Sequence, residues 1–230
     1  MIKRIITAAL ILMAASTTFV QAKNDIVRED TVEYNDSKQE TETNSFRSNW
    51  FVSVAAGPQL LFGDHEKQMS LGDKLSPALD VAVGRWFSPL WGARLMYSGL
   101  SVNGATQTGA HSTGEVYDAS KWLDKQKVNF FNIHADALFN ATNLIFGYNQ
   151  DRVWDCSPYV GIGVIAVTEK PSFTGVSGNF GLFNAFHVTS ALDINLDLRG
   201  VITGDDFDGE SGGRGGEGIL SLNVGLTYHF

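Results

Sequence analysis

The sequence predicts an all-β protein, an eight-stranded antiparallel up-and-down transmembrane β-barrel. Three observations predict it. From Trp50 onward the chain divides into eight strand-length segments in which apolar and polar residues alternate. The connections between those segments alternate between long and short. The chain also closes on a strand in which Leu220, Leu222, Val224, Leu226, Tyr228 and Phe230 face Ser221, Asn223, Gly225, Thr227 and His229 across an unbroken period of two.

The segments upstream of the strands are of another kind. Residues 1–22 read as a signal peptide: Lys3 and Arg4, an apolar run from Ile5 to Ala15, then Val20-Gln21-Ala22 with small residues at the cleavage positions. The run is shorter than the about 20 apolar residues a spanning helix needs. Loss of Lys3 and Arg4 with this leader takes the formal charge from −8 to −10. Such a balance excludes the basic footprint of a nucleic-acid partner. Residues 23–48 carry Asp25, Glu29, Asp30, Glu33, Asp36, Glu40 and Glu42 among few apolar side chains, so a disordered acidic periplasmic extension is expected. The barrel takes residues 49–230. A mean hydropathy of −0.05 is compatible with it, because barrel strands carry a weaker signal than membrane helices. Cys156 is the single cysteine, which rules out an intrachain disulfide and suits a small buried side chain.

The expected strands are Trp50–Phe62, Ala78–Phe87, Trp91–Val102, Val128–Ala141, Ser157–Val167, Gly178–Val188, Ala191–Thr203 and Gly218–Phe230. Strands two and three are joined by only Ser88-Pro89-Leu90, and strands six and seven by Thr189-Ser190. Long connections fall between them, notably Asn103–Lys127 and the Gly-rich Gly204–Glu217. Outer-membrane barrels pair long outer loops with short periplasmic turns in this way. The fourth connection, Thr142–Cys156, is longer than that rule asks, and its Leu144-Ile145-Phe146 is expected to pack against the barrel base. Pro58 lies within the first strand and donates no backbone hydrogen bond, so a bulge or weakened pairing is expected there.

The polar faces place Asp80, Arg94, His134, Asp136, Asp193, Asp197 and Arg199 on one side of the sheet. Inside an eight-stranded barrel the lumen is just wide enough for side chains, so these charges are expected to form a paired network. Trp50, Phe62, Trp86, Trp91, Trp154 and Tyr228 cluster near strand ends, where interfacial aromatic girdles form. No catalytic, cofactor or metal residues are assigned. Gly204-Asp205-Asp206-Phe207-Asp208-Gly209-Glu210 lacks the spacing of an EF-hand loop and reads as a solvated acidic turn. His65 and His111 read as loop polarity. His134 has no neighbouring Ser, and His187 lies beside Thr189 and Ser190 at a short turn, so neither specifies a hydrolase.

The stretches Asn49-Trp50-Phe51-Val52, Phe183-Asn184-Ala185-Phe186, Leu192–Arg199 and Gly225–Phe230, with Arg214–Gly218 before the last strand, resemble the β-barrel domain of OmpA-family proteins from the Bacteroidetes group. The resemblance covers residues 49–230, and its motifs are structural. It implies an integral protein of the Gram-negative outer membrane. Phe230 would then serve as the targeting residue read by the barrel-assembly machinery. Members often carry a peptidoglycan-binding domain after the barrel, and that role is not expected of this chain. The expected function is structural or surface-interactive, with the outer loops meeting a surface ligand or host partner. The alternative is a small, porin-like, cation-preferring pore or transporter, and a lipid-modifying barrel enzyme is a lesser reading.

Overall fold

The computed structural model describes residues 49–63, 65–210 and 216–230; the expected leader 1–22 and the acidic extension 23–48 lie outside the described residues. The strands are β1 (Trp50–Phe62), β2 (Ser76–Trp86), β3 (Trp91–Thr106), β4 (Ser112–Asp118), β5 (Leu123–Phe139), β6 (Trp154–Val167), β7 (Phe173–His187), β8 (Leu192–Thr203) and β9 (Glu217–His229). Two short helices, α1 (Leu71–Lys74) and α2 (Ala141–Phe146), lie in the connections. Each strand pairs antiparallel with its neighbours in the order β3-β2-β1-β9-β8-β7-β6-β5, and β3 pairs with β5 to close the ring. Eight strands therefore make the barrel. β4 stands apart as a hairpin partner of β5, alongside Gln126, Asp124 and Leu123.

Closure brings the first and last strands together, from Phe51 opposite His229 to Phe62 opposite Gly218. The register of this pair is constant across Pro58. Pairing is simply interrupted at Gly57 and Pro58 on the β9 side, and no bulge forms. Gly57 permits that close approach, since a Cβ there would lie 2.0 Å from the Leu222 carbonyl oxygen.

The faces settle which medium surrounds the sheet. Along β8, Asp193, Asn195, Asp197 and Arg199 are buried, while Ile194 is exposed. On β6, Val160, Ile162 and Val164 point outward, with Ile162 68% exposed. Val224 and Leu226 do the same on β9. A barrel in water would bury these apolar side chains and expose the charges. This one is inverted, as required where lipid lies outside.

Several boundaries differ from the expected ones. β3 and β5 run on to pair Thr106 with Asp124, well past Val102 and Val128. The expected outer loop Asn103–Lys127 is thus mostly an extension of the sheet plus the β4 hairpin. Backbone pairing holds it together, with a small core of Met69, Ala105 and Leu123 under Tyr117. The fourth connection is also corrected. In α2, Thr142 and Asn143 face the barrel, while Leu144, Ile145 and Phe146 point away and are exposed. The barrel offers polar partners here: the Thr142 hydroxyl accepts from the Cys156 backbone N–H at 2.7 Å, and the Asn143 amide donates to the Pro89 carbonyl at 2.8 Å. Cys156 is buried with a free thiol.

An arginine placed on the lipid face should reveal the inversion directly. Ile162→Arg should destabilise the bilayer-embedded protein by about 2–4 kcal/mol in urea unfolding from vesicles. Val116→Arg, on the projecting hairpin, should change it by less than about 0.5 kcal/mol.

Candidate functional site

Across the middle of the lumen two arginines organise the polar face. Arg94 on β3 places Nε 2.7 Å from Asp136 Oδ2 and Nη2 3.0 Å from Asp197 Oδ2. The second contact is an ion pair by distance only, since Arg94 Nη2 and Asp197 Oδ2 lack hydrogen-bond alignment. The guanidinium also lies 4.2 Å from the centre of the Tyr159 ring, and Tyr159 donates its hydroxyl to Asp197 at 2.7 Å. Arg199 on β8 grips Asp80 on β2 with both terminal nitrogens, at 2.7 and 3.0 Å, and Asn223 donates to the same carboxylate. His134 Nδ1 meets the remaining Asp136 oxygen at 2.7 Å. Around them Ser177 donates to Asn132, and Asn132 to Asn179.

Six of the seven lumen residues marked in the sequence therefore come together, all nearly inaccessible. Asp193 does not join them. It lies at the end of the barrel bearing the short turns, between His187 Nδ1 at 2.8 Å and His229 Nε2 at 2.7 Å, with Asp155 on the far side of His187 at 3.2 Å. Cross-strand partners such as Tyr159, Asn223 and Asn179 were missed because a single strand does not show which residue lies opposite.

One arrangement imitates a catalytic triad. His134 does have a serine beside it: Ser98 Oγ lies 3.5 Å from His134 Nε2, across the β3–β5 ladder, and Asp136 follows at Nδ1. All three are walled in, with Ser98 only 2% exposed, and Asp136 is also held by Arg94. The trio thus lies among the buried side chains that fill the interior.

Apolar layers lie toward both ends. Toward the short turns, Leu138, Tyr159, Phe183 and Ala185 pack with Trp86, whose ring turns inward and so leaves the expected girdle. Trp50, Trp91, Trp154 and Tyr228 lie on outward positions of that rim, and Phe62 on an outward position of the opposite one. Trp154 donates to Asn184 on the same outer face at 3.2 Å. Phe230 is exposed, stacks edge-on with Tyr228, and donates its backbone N–H to the Trp50 carbonyl at 3.0 Å.

Toward the long loops the mouth is plugged. Phe207 is fully buried among Leu61, Val102, Val128, Phe130, Ile165, Val167, Val201 and Ile219, edge-on to Phe130 and Phe173. The segment expected to be a solvated acidic turn instead folds inward, because Phe207 finds an apolar socket and carries its neighbours with it. Asp208, Glu210, Glu217 and Glu66 are all buried around it. Glu210 accepts from the Thr106 hydroxyl, from the Gln107 and Thr108 backbone N–H groups at 2.8 and 2.9 Å, and pairs with His65 at 3.0 Å. Burial opposes its charge, but these donors hold the carboxyl below its usual range. Asp208 goes the other way: burial pushes it up to about 6, outweighing the Glu210 backbone N–H and Glu217, which favour its ionised form, while the charges of Glu66 and Glu210 add to the rise. His65 is thus part of this structure and not free loop polarity. His111 also packs against the loop, close to Gly209. Among the described residues no group of three or more His, Cys, Asp or Glu side chains is arranged to hold a metal ion.

The hairpin beyond the mouth carries the opposite kind of surface. Trp122 sits at its tip with φ of 56°, a left-handed conformation uncommon for a tryptophan, and is 83% exposed. Val116 and Leu71 nearby are also exposed, and the Ser70 backbone N–H is tied to the Tyr117 hydroxyl at 3.0 Å.

An inverted, closed, eight-stranded barrel whose lumen is filled by a buried polar network defines an integral β-barrel protein of the outer membrane. Known proteins agree. The chain is 25% identical over 192 residues to outer membrane protein 40 of Porphyromonas gingivalis, covering 79% of this chain and 47% of that one. It is 25% identical over 161 residues to outer membrane protein 41 of the same organism, covering 68% and 38%. The chain thus spans less than half the length of these relatives. Among solved structures, Neisserial surface protein A matches with a TM-score of 0.50 at 10% identity, over 79% of this chain and 97% of that one, a likeness of fold. No protein-family model matches.

Removing one member of the central network isolates buried charge. Arg94→Met should cost about 3–5 kcal/mol in urea unfolding from vesicles, by stranding Asp136 and Asp197. Arg94→Met combined with Asp136→Asn and Asp197→Asn should recover much of that loss.

Proposed function

We propose that the protein is a sealed outer-membrane scaffold that presents the β4 hairpin as a contact surface. The observation that carries this reading is Trp122, 83% exposed at the tip of an ordered hairpin and flanked by exposed Val116. Large aromatic side chains displayed on rigid elements are what protein-recognition hot spots are made of. The left-handed backbone at Trp122 costs conformational energy that packing does not repay, which is characteristic of functional positions. The partner fitting such a tip is a surface protein offering an apolar pocket. By the rule of long outer loops and short inner turns, the hairpin lies outside the cell.

The rival reading, a narrow cation-preferring pore, has the acids of the lumen in its favour. Against it stand the Phe207 plug and the direct pairing of Asp80, Asp136 and Asp197 with arginines, which fill the lumen among the described residues. The sealed lumen acts as the scaffold's core, and the outward aromatic residues Trp50, Trp91, Trp154 and Tyr228 as its interfacial girdle. Phe230, exposed beside Tyr228, supports recognition by the assembly machinery.

Two measurements test the reading. Cells displaying the protein should adhere to protein-coated surfaces better than a deletion strain, and Trp122→Ala should remove about 2 kcal/mol or more of that binding. Adherence indifferent to both Trp122→Ala and Val116→Ser would sink the hairpin. In planar bilayers no reproducible step conductance is expected; a conductance that falls when Asp193 and Asp197 are neutralised establishes the pore instead.

A further inference from the structure

The connection from β5 to β6 carries an apolar surface at the short-turn end of the barrel. Between Asp136 and Asp151 the chain has no charged side chain, although it leaves the sheet after Phe139 and forms α2 on the way. Within that stretch Leu144, Ile145 and Phe146 are 58, 68 and 63% exposed, and Tyr148 just beyond is exposed as well. Exposed apolar residues gathered in this way mark a surface that meets lipid or another protein.

The polar side of α2 is fastened to the barrel, so the triplet is not free to turn inward. Asn140 caps the helix: its side chain accepts from the Asn143 backbone N–H at 2.8 Å, and its own N–H donates to the Leu90 carbonyl at 2.7 Å. Thr142 holds the Cys156 backbone on β6, and Asn143 holds the Pro89 carbonyl in the turn between β2 and β3. Arg152 closes the far end, donating to Asn143 Oδ1 at 2.7 Å and to the Gly147 carbonyl at 2.5 Å.

The same bonds fix the height of the helix. Trp91 and Phe139 are cross-strand partners on the outward face, both exposed, and Trp154 holds an outward position at the start of β6. Cys156, the residue that Thr142 grips, lies two positions past Trp154 toward the middle of the strand. α2 therefore starts at the level of the girdle, where aromatic rings sit among lipid headgroups. Its six residues, at about 1.5 Å each, span only about 9 Å and stay close to that level. The lateral position agrees. Cys156 and Val160 share the outward face of β6, but Val160 is exposed to the surroundings while Cys156 is buried, next to the Thr142 that grips it. The apolar triplet thus continues the lipid face of the barrel past the end of β5.

We propose that α2 is an interfacial anchor: Leu144, Ile145 and Phe146 insert into the leaflet at the short-turn, periplasmic end of the barrel. The occupant of this surface is phospholipid. Amphipathic segments lie in the plane of the interface with their apolar face sunk about 5–10 Å into the boundary between headgroups and acyl chains. A docking site for a soluble protein carries a polar rim around its apolar centre. Here the flanking sequence is uncharged, and Tyr148 supplies an aromatic of the interfacial kind instead. The anchor acts on β5, the strand whose other end carries the β4 hairpin, so it sets the depth at which that strand rests.

Depth-dependent fluorescence quenching tests this, with the full chain folded into phosphatidylcholine–phosphatidylglycerol vesicles. Ile145→Cys carries a bimane label in a Cys156→Ser background, and folding is checked by the heat-dependent electrophoretic shift. Phe146→Cys serves if Ile145→Cys fails to fold. Lipids brominated high on the acyl chain should quench the label within about twofold of one at Ile162→Cys on the lipid face. Iodide on both sides of the bilayer should quench it about fivefold less than a label at Val116→Cys on the hairpin. Replacing Leu144, Ile145 and Phe146 together by Gln should lift a label at Tyr148→Cys out of bromine reach and into iodide reach. Strong iodide quenching without bromine quenching at position 145 overturns the proposal, because the triplet then faces water and awaits a protein partner. Quenching by neither overturns it too, since another part of the chain then covers the helix. A label at Tyr148→Cys that stays in lipid after the triple replacement shows that the triplet is not the anchor.

Discussion

Everything in this molecule follows from the demand that a sheet in lipid have no edge. Hydrocarbon offers backbone N–H and C=O groups nothing to bond, so the chain must pair its first strand with its last. It does so through the β1–β9 ladder, and it closes the other side by letting β5 bypass the short β4 and pair with β3. Once the ring is fixed at eight strands, its diameter is fixed too, and the lumen becomes a space that side chains must fill. The outward face needs only to be apolar. The inward face has the harder task, because each polar group there has to find another.

The three layers of the lumen answer that demand together. Arg94 and Arg199 each reach across the barrel to strands that are distant in sequence, so the network ties opposite walls as well as neutralising charge. The apolar layer around Phe207 above, and the aromatic layer with Trp86 below, keep water from the ion pairs and so strengthen them. The fit is incomplete in places. Arg94 Nη1 and Arg199 Nε remain without hydrogen-bond partners, although Arg94 gains the faces of Tyr159 and Phe183. A lumen built from a few long side chains satisfies charge before it satisfies every donor.

What the sequence disclosed, and what it concealed, divides along the lipid boundary. Where a strand has lipid on one side and lumen on the other, as in Leu192–Arg199, the period of two is unmistakable and the buried acids could be named in advance. Above the membrane that contrast vanishes. Ser112–Asp118 is mostly exposed on both faces, so β4 left no alternating trace, and the extensions of β3 and β5 were taken for loop. Phe207 was hidden for a different reason. Flanked by Asp205, Asp206 and Asp208, it looks like one apolar residue in an acidic turn, and only the socket formed by distant strands makes it a plug. Trp86 turned inward because Leu138 and Phe183, far along the chain, provide its packing surface. Ser98 and His134 likewise meet only through the β3–β5 register.

The overhang of β3 and β5 sets a height. β3 runs for 16 residues and β5 for 17. At about 3.3 Å per residue and a tilt of roughly 40°, such strands climb on the order of 40 Å along the membrane normal, against an apolar band about 25 Å tall. The hairpin therefore stands as a stiff mast roughly 10–15 Å clear of the hydrocarbon, with Trp122 at its top. Its length is quantised, because strands grow by residue pairs: removing one pair lowers the tip by about 5 Å and keeps its facing, whereas removing one residue turns the tip around. Altitude and azimuth beyond the membrane are thus written into the strand count of the shaft, independently of what the tip is made of.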